Sequence, residues 1–104
     1  MPFGLKENII KKINAVFSSF PQVEEAVIYG SRAKGNYKPG SDIDIALKGN
    51  DLSLKELNKI SLMIDDLLLP YHCDLSIFSH ISNPDLIDHI DRIGKTLYKK
   101  NSEF

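Results

Sequence analysis

A single cysteine, Cys73, occurs in the 104 residues. No intramolecular disulfide and no cysteine-rich zinc site can be built from it. His72, His80 and His89 taken with Cys73 match no common zinc spacing. There is no apolar run near the ~18 residues that a membrane helix needs. There is also no signal-peptide pattern at the start and no Asn-x-Ser/Thr sequon, so the expectation is a cytoplasmic protein with no membrane partner. Charge of one sign is missing too: 13 basic side chains stand against 14 acidic ones, a formal net charge of −1. That excludes the bulk basic footprint behind tight non-specific binding to nucleic acid. No Gly-x-Ser-x-Gly elbow and no Walker loop are present, which counts against a serine hydrolase and a P-loop ATPase. What remains is ordinary for a globular domain, with 42% hydrophobic and 26% charged residues. A chain of this length buries roughly 65% of its unfolded surface. One modest core and one domain over residues 1–104 are expected.

Periodicity divides the chain. Over residues 5–20, Leu5, Ile9, Ile13, Val16, Phe17 and Phe20 recur at helical spacing, and Pro21 stops the run. Residues 26–29 form a short β-prone stretch ended by Gly30. Residues 31–41 are small, basic and turn-rich, with room for one helical turn at the start. Residues 42–47 alternate with period two: Ile43, Ile45 and Leu47 share one face, Asp42, Asp44 and Ala46 the other. Ser53 and Glu56 form a capping box before a leucine and isoleucine stripe that runs to Pro70. In that stripe Leu67-Leu68-Leu69 holds one apolar residue more than a single face needs. The reading is that Leu69 lies in the core, with an interface as the other reading. Residues 71–78 alternate again, with Cys73, Leu75 and Ile77 opposite Asp74, Ser76 and Phe78. Asn83 as N-cap, Pro84 at the first helical position and Gly94 past the end frame a last helix. A short edge strand around residues 96–98 follows, and fraying is expected after Lys100.

The order α-β-(turn)-β-α-β-α describes an α/β fold, a small mixed sheet with flanking helices. A helical crossover makes the second and third strands a parallel pair, and a short turn-rich link makes the first and second antiparallel. Gly30-Ser31, Asp42, Asp44 and Asp74 then meet at one end of the sheet. Carboxylates two apart on a strand have Cα atoms about 6.5 Å apart, and a neighbouring strand adds a third position about 4.8 Å sideways. Such charges repel one another unless a cation offsets them. Carboxylate oxygen is what Mg²⁺ prefers, and substrate phosphates usually complete its shell. Two such ions about 3.5–4 Å apart can activate an attacking oxygen and stabilise a leaving one. A glycine lets phosphate approach the backbone, and N–H groups at the start of a helical turn, with the Ser31 hydroxyl, can bind its oxygens. Arg32, Lys34 and Lys38 add charge nearby. The pattern fits a nucleoside triphosphate with metal. Asp-x-Asp alone is more often solvated decoration, and Gly-Ser alone is usually a turn. Their combination at this spacing arises by chance on the order of once per thousand chains of this length, so the combination carries the reading.

The segment GSRAKGNYKPGSDIDIAL, residues 30–47, resembles the signature of the DNA polymerase β-type nucleotidyltransferase superfamily. At this chain length the resemblance is to its minimal nucleotidyltransferases (MNT). The resemblance implies a nucleotidyltransferase-like fold of the polymerase β palm type. It implies transfer of a nucleoside monophosphate, AMP in the first instance, from ATP to a hydroxyl acceptor with Mg²⁺, two ions in all. Asp42 and Asp44 would bridge both metals, and Asp74 would bind the catalytic one. Gly30 and Ser31 would hold the triphosphate. Asp65, Asp66 and Asp85 compete with Asp74 on sequence alone, and Asp74 is preferred because it stands in an alternating strand. Arg32 matches a commonly basic position and is assigned to nucleotide binding, with a surface salt bridge as an equal reading. The resemblance also implies a HEPN-domain protein partner in a toxin–antitoxin pair, and so a hetero-oligomer, with a homo-oligomer as the alternative. The rival readings are a catalytically silent antitoxin or binding module, and transfer to RNA or a small molecule.

Overall fold

A computed structural model describes residues 2–100. The helices are α1 (Glu7–Ser18), α2 (Ser31–Lys34), α3 (Leu54–Asp65) and α4 (Pro84–Ile93). The strands are β1 (Glu25–Tyr29), β2 (Ile43–Lys48), β3 (Cys73–Ile77) and β4 (Lys95–Lys99). They form a four-stranded sheet in the order β3-β2-β1-β4. β1 is antiparallel to both β2 and β4, while β2 and β3 are parallel. The expected mixed sheet and both strand directions are found.

The alternation in β2 assigns the two faces. Ile43, Ile45 and Leu47 are fully buried with Ala26 and Ile28 of β1, and Ile77 of β3 and Leu97 of β4 are buried beside them. Onto this face pack Ile9, Ile13, Val16 and Phe17 of α1 and Ile60 and Ile64 of α3. Cys73 and Leu75 join it, and burial pushes the Cys73 thiol up to about 11, with Asp65 adding to the effect. The opposite face holds a smaller cluster: Val27, Ala46 and Ile90, with Tyr29, Phe78, Ile81 and Leu86 around them. Helix α4 covers only part of that face. The remainder, at the C-terminal end of β1, is where the carboxylates stand.

The caps follow the sequence closely. Glu56 accepts hydrogen bonds from the Ser53 amide (2.8 Å) and hydroxyl (2.6 Å), and this holds its carboxyl below the usual range. Asn83 Oδ1 accepts from the Asp85 and Leu86 amides, with Pro84 opening α4. Two expected boundaries move. α1 is shorter at both ends than residues 5–20, and α3 stops at Asp65 rather than Pro70. Beyond Asp65 the chain tightens into i→i−3 hydrogen bonds at Leu67 and Leu68, and Leu68 adopts φ +54°. That left-handed turn points Leu68 outward at 87% exposure and returns Leu69 to the core, as expected of Leu69. Fraying after Lys100 concerns residues outside those described.

Candidate active site

Register determines which side chains meet. Across the parallel pair Asp44 stands directly opposite Asp74, and across the antiparallel pair it stands opposite Tyr29. Residues in register point to the same face, so Tyr29, Asp44 and Asp74 form a row across three strands. Asp42 precedes β2, two residues before Asp44, and is exposed. The start of β2 is tied to the start of β3 by the Ile43 amide donating to the His72 carbonyl at 2.9 Å.

The turn at the end of β1 completes the site. Gly30 has φ +72° and ψ −152°, a region that side chains disfavour. A Cβ there would lie 2.5 Å from Asp44 Oδ2. A side chain is therefore excluded twice, by backbone conformation and by the carboxylate beside it. Ser31 opens α2, whose single turn is closed by the Lys34 and Gly35 amides donating to the Gly30 and Ser31 carbonyls. The Gly30 amide is itself engaged: it donates to His89 Nε2 at 3.1 Å. His89 also meets the Tyr29 ring edge-on, centroids 6.1 Å apart.

His89 and Tyr29 were not singled out as site residues. His89 lies three residues after Leu86 and shares its face of α4, so helical spacing alone could have placed it against the sheet. Tyr29 could have been found from the antiparallel pairing, once the register opposite Asp44 was known.

The electrostatics are those of crowded carboxylates. Burial raises the Asp44 carboxyl above the ordinary range, and Asp74 and then Asp42 raise it further, against a smaller opposing pull from His72 and His89. Burial also raises the Tyr29 phenol. The Ser76 hydroxyl lowers it, and Asp44 and Asp74 push it up again.

Arg32 departs from one of the two expectations for it, the surface salt bridge. It is 2% exposed, so it is not a surface ion-pair partner. Its Nε and Nη2 donate to the Ser41 carbonyl and its Nη1 to the Phe3 carbonyl, so three of its five N–H groups are spent on the backbone of the fold. Lys34 and Lys38 of the same loop are exposed.

The chain matches the family model described as Polymerase beta, Nucleotidyltransferase over residues 11–103. It belongs to the polymerase β nucleotidyltransferase family. Among solved structures, a toxin–antitoxin complex with AMP-PNP is similar to this nucleotidyltransferase at TM-score 0.69 and 26% identity, over 92% of this chain and 75% of that one. Two others share the fold. A tri-AMPylated Shewanella oneidensis HEPN toxin in complex with MNT antitoxin matches at TM-score 0.67 and 20% identity, over 92% of this chain and 74% of that one. The toxin–antitoxin MntA–HepT matches at TM-score 0.67 and 21% identity, over 91% and 74%. No curated protein matches the chain.

Among the described residues of this nucleotidyltransferase, no group of three His, Cys, Asp or Glu side chains is drawn tightly enough together to hold an ion alone. Mg²⁺ commonly takes one or two carboxylates and fills its shell with water and phosphate oxygen. An all-carboxylate donor set beside a side-chain-free turn has that chemistry. No helix among the described residues is long and apolar enough to cross a membrane.

Proposed function

We propose that this nucleotidyltransferase transfers AMP from ATP to a hydroxyl on a HEPN-domain protein, acting as the antitoxin of a toxin–antitoxin pair in the cytoplasm. The observation that carries the proposal is the register of Asp44 against Asp74, with Gly30 holding space open beside the Asp44 carboxylate. Asp42, Asp44 and Asp74 would hold the Mg²⁺ ions. Bound there, the metal supplies charge for the triphosphate and lowers the cost of ionising the acceptor hydroxyl. The chain's own residues do the rest. Gly30 admits the phosphate to the backbone, and the Ser31 hydroxyl donates to it. Asp74, on the edge of the row, orients the acceptor hydroxyl and its carboxylate takes the proton as the oxygen bonds to the α-phosphorus in line, while the α-phosphorus bond to pyrophosphate breaks. The partner reading is supported by similarity to structures of toxin–antitoxin complexes, one of them with AMP-PNP.

The experiment is incubation with α-labelled ATP, Mg²⁺ and the product of the neighbouring gene. Label retained on that protein after denaturation is the expected result. Stable complex formation without label would favour the silent-antitoxin reading, and label on RNA or a small molecule would redirect the acceptor.

A further inference from the structure

Arg32 is the one charged side chain buried among the described residues, and no carboxylate pairs with it there. A buried guanidinium is costly unless its geometry is well satisfied. Here Nε and Nη2 both donate to the Ser41 carbonyl, at 3.1 and 2.8 Å, and Nη1 donates to the Phe3 carbonyl at 2.9 Å. The guanidinium carbon also lies 5.1 Å from the Tyr37 ring centroid and 4.8 Å from that of Tyr71.

Two of the places it reaches, Ser41 and Tyr71, border the site. Arg32 itself follows Ser31, and Ser41 precedes Asp42. Tyr71 stands beside His72, whose carbonyl holds the start of β2, and three residues before Asp74. One planar group thus spans the phosphate turn, the entry to β2 and the entry to β3. Its two donors on a single carbonyl fix the direction in which the chain enters Asp42.

We propose that Arg32 is a positioning residue that sets the spacing between the Gly30-Ser31 turn and Asp42. Its consequence for metal use rests on the nucleotidyltransferase reading above; its consequence for the metal-free chain does not. Lysine keeps the charge but cannot present a planar fork to the Ser41 carbonyl while also reaching Phe3 and lying on two rings.

The test compares wild type with Arg32→Lys by hydrogen exchange on the metal-free protein and by the Mg²⁺ dependence of ATP turnover. Amides of residues 30–35 and 41–43 should exchange about tenfold faster together, while α1 and α3 keep their protection. Half-saturating Mg²⁺ should rise about tenfold with the KM for ATP changing much less, as for loss of a group that orients metal ligands. Tyr37→Leu, which leaves Arg32 in place and removes one ring, should show the same pattern at smaller amplitude. That second variant carries the test if Arg32→Lys does not fold. Unchanged exchange in both segments would overturn the proposal. Protection lost equally in α1 and α3 would also overturn it, because Arg32 would then support the whole fold rather than the site. A wild type with no Mg²⁺-dependent turnover would sink the functional reading, and the exchange measurement would still decide the role of Arg32.

Discussion

The two faces of the sheet are made from the same strands and are used differently. On the α1 and α3 side every inward position of β2 is a fully buried aliphatic, and the core runs from strand to strand without a gap. On the α4 side Ala46 and Val27 are buried under Ile90, but the next inward position toward the start of β2 is Asp44. The first face contributes stability and little else. The second gives up apolar contact at one end and gains a row of Tyr29, Asp44 and Asp74, with His89 against the tyrosine ring. Period-two alternation lets one strand serve both ends independently.

The sharpest way to test that division is Asp44→Asn. It should lower transfer by about a thousandfold, close to 4 kcal/mol of transition-state stabilisation, and leave the circular dichroism spectrum and cooperative melting in place. A variant that keeps wild-type turnover would remove Asp44 from the reaction. Next in size is the contrast between the two cores. Ile45→Ala, on the continuous face, should cost about 4 kcal/mol of folding stability, while Ile90→Ala, in the smaller cluster, should cost about 2 kcal/mol. Urea denaturation of both variants measures this, and equal losses would mean that α4 is as integral to the core as α1 and α3.

The smallest effect concerns the penalty at the carboxylate row. In the metal-free fold Asp44 titrates above its unfolded value, because of burial and then Asp74 and Asp42. Between those two pKa values the folded state holds more protons than the unfolded chain, so stability falls as pH rises through the window. The penalty is complete above the folded pKa and absent below the unfolded one. Asp44→Asn should therefore melt at or slightly above wild type at neutral pH. The gain is at most about 1 kcal/mol, because the site is partly solvated. That advantage should shrink toward pH 4. Mg²⁺ with ATP should reverse the order by stabilising wild type far more than the variant. Melting scans across pH, with and without Mg²⁺ and ATP, test all three parts. A variant less stable than wild type at neutral pH without metal would make Asp44 a structural residue.

Much of this was readable in advance, for local reasons. The alternation of β2, the Ser53–Glu56 cap and the Asn83-Pro84 start of α4 all depend on neighbours in sequence, and each appears where those neighbours place it. The pairing of Asp44 with Asp74 was also within reach, because a helical crossover dictates a parallel neighbour. Arg32 was not. Its partners Phe3, Ser41 and Tyr71 are brought together only by the tertiary fold, and a basic residue in a polar loop carries no local sign of burial. The end of α3 was missed because apolar spacing continues through Leu67 and Leu68 after the backbone has left the helix.

The parallel pairing of β2 with β3 has one more consequence. Asp44 and Asp74 are separated by α3 and its loops, yet their spacing is set by hydrogen bonds between strands, not by the length of chain joining them. Closing a longer connection costs only about 0.6 kcal/mol per doubling of loop length. The crossover is thus free to grow, shrink or acquire new surface in descendants of this sequence while the two carboxylates stay abreast. The carboxylate row and the surface of the crossover can therefore diverge at different rates.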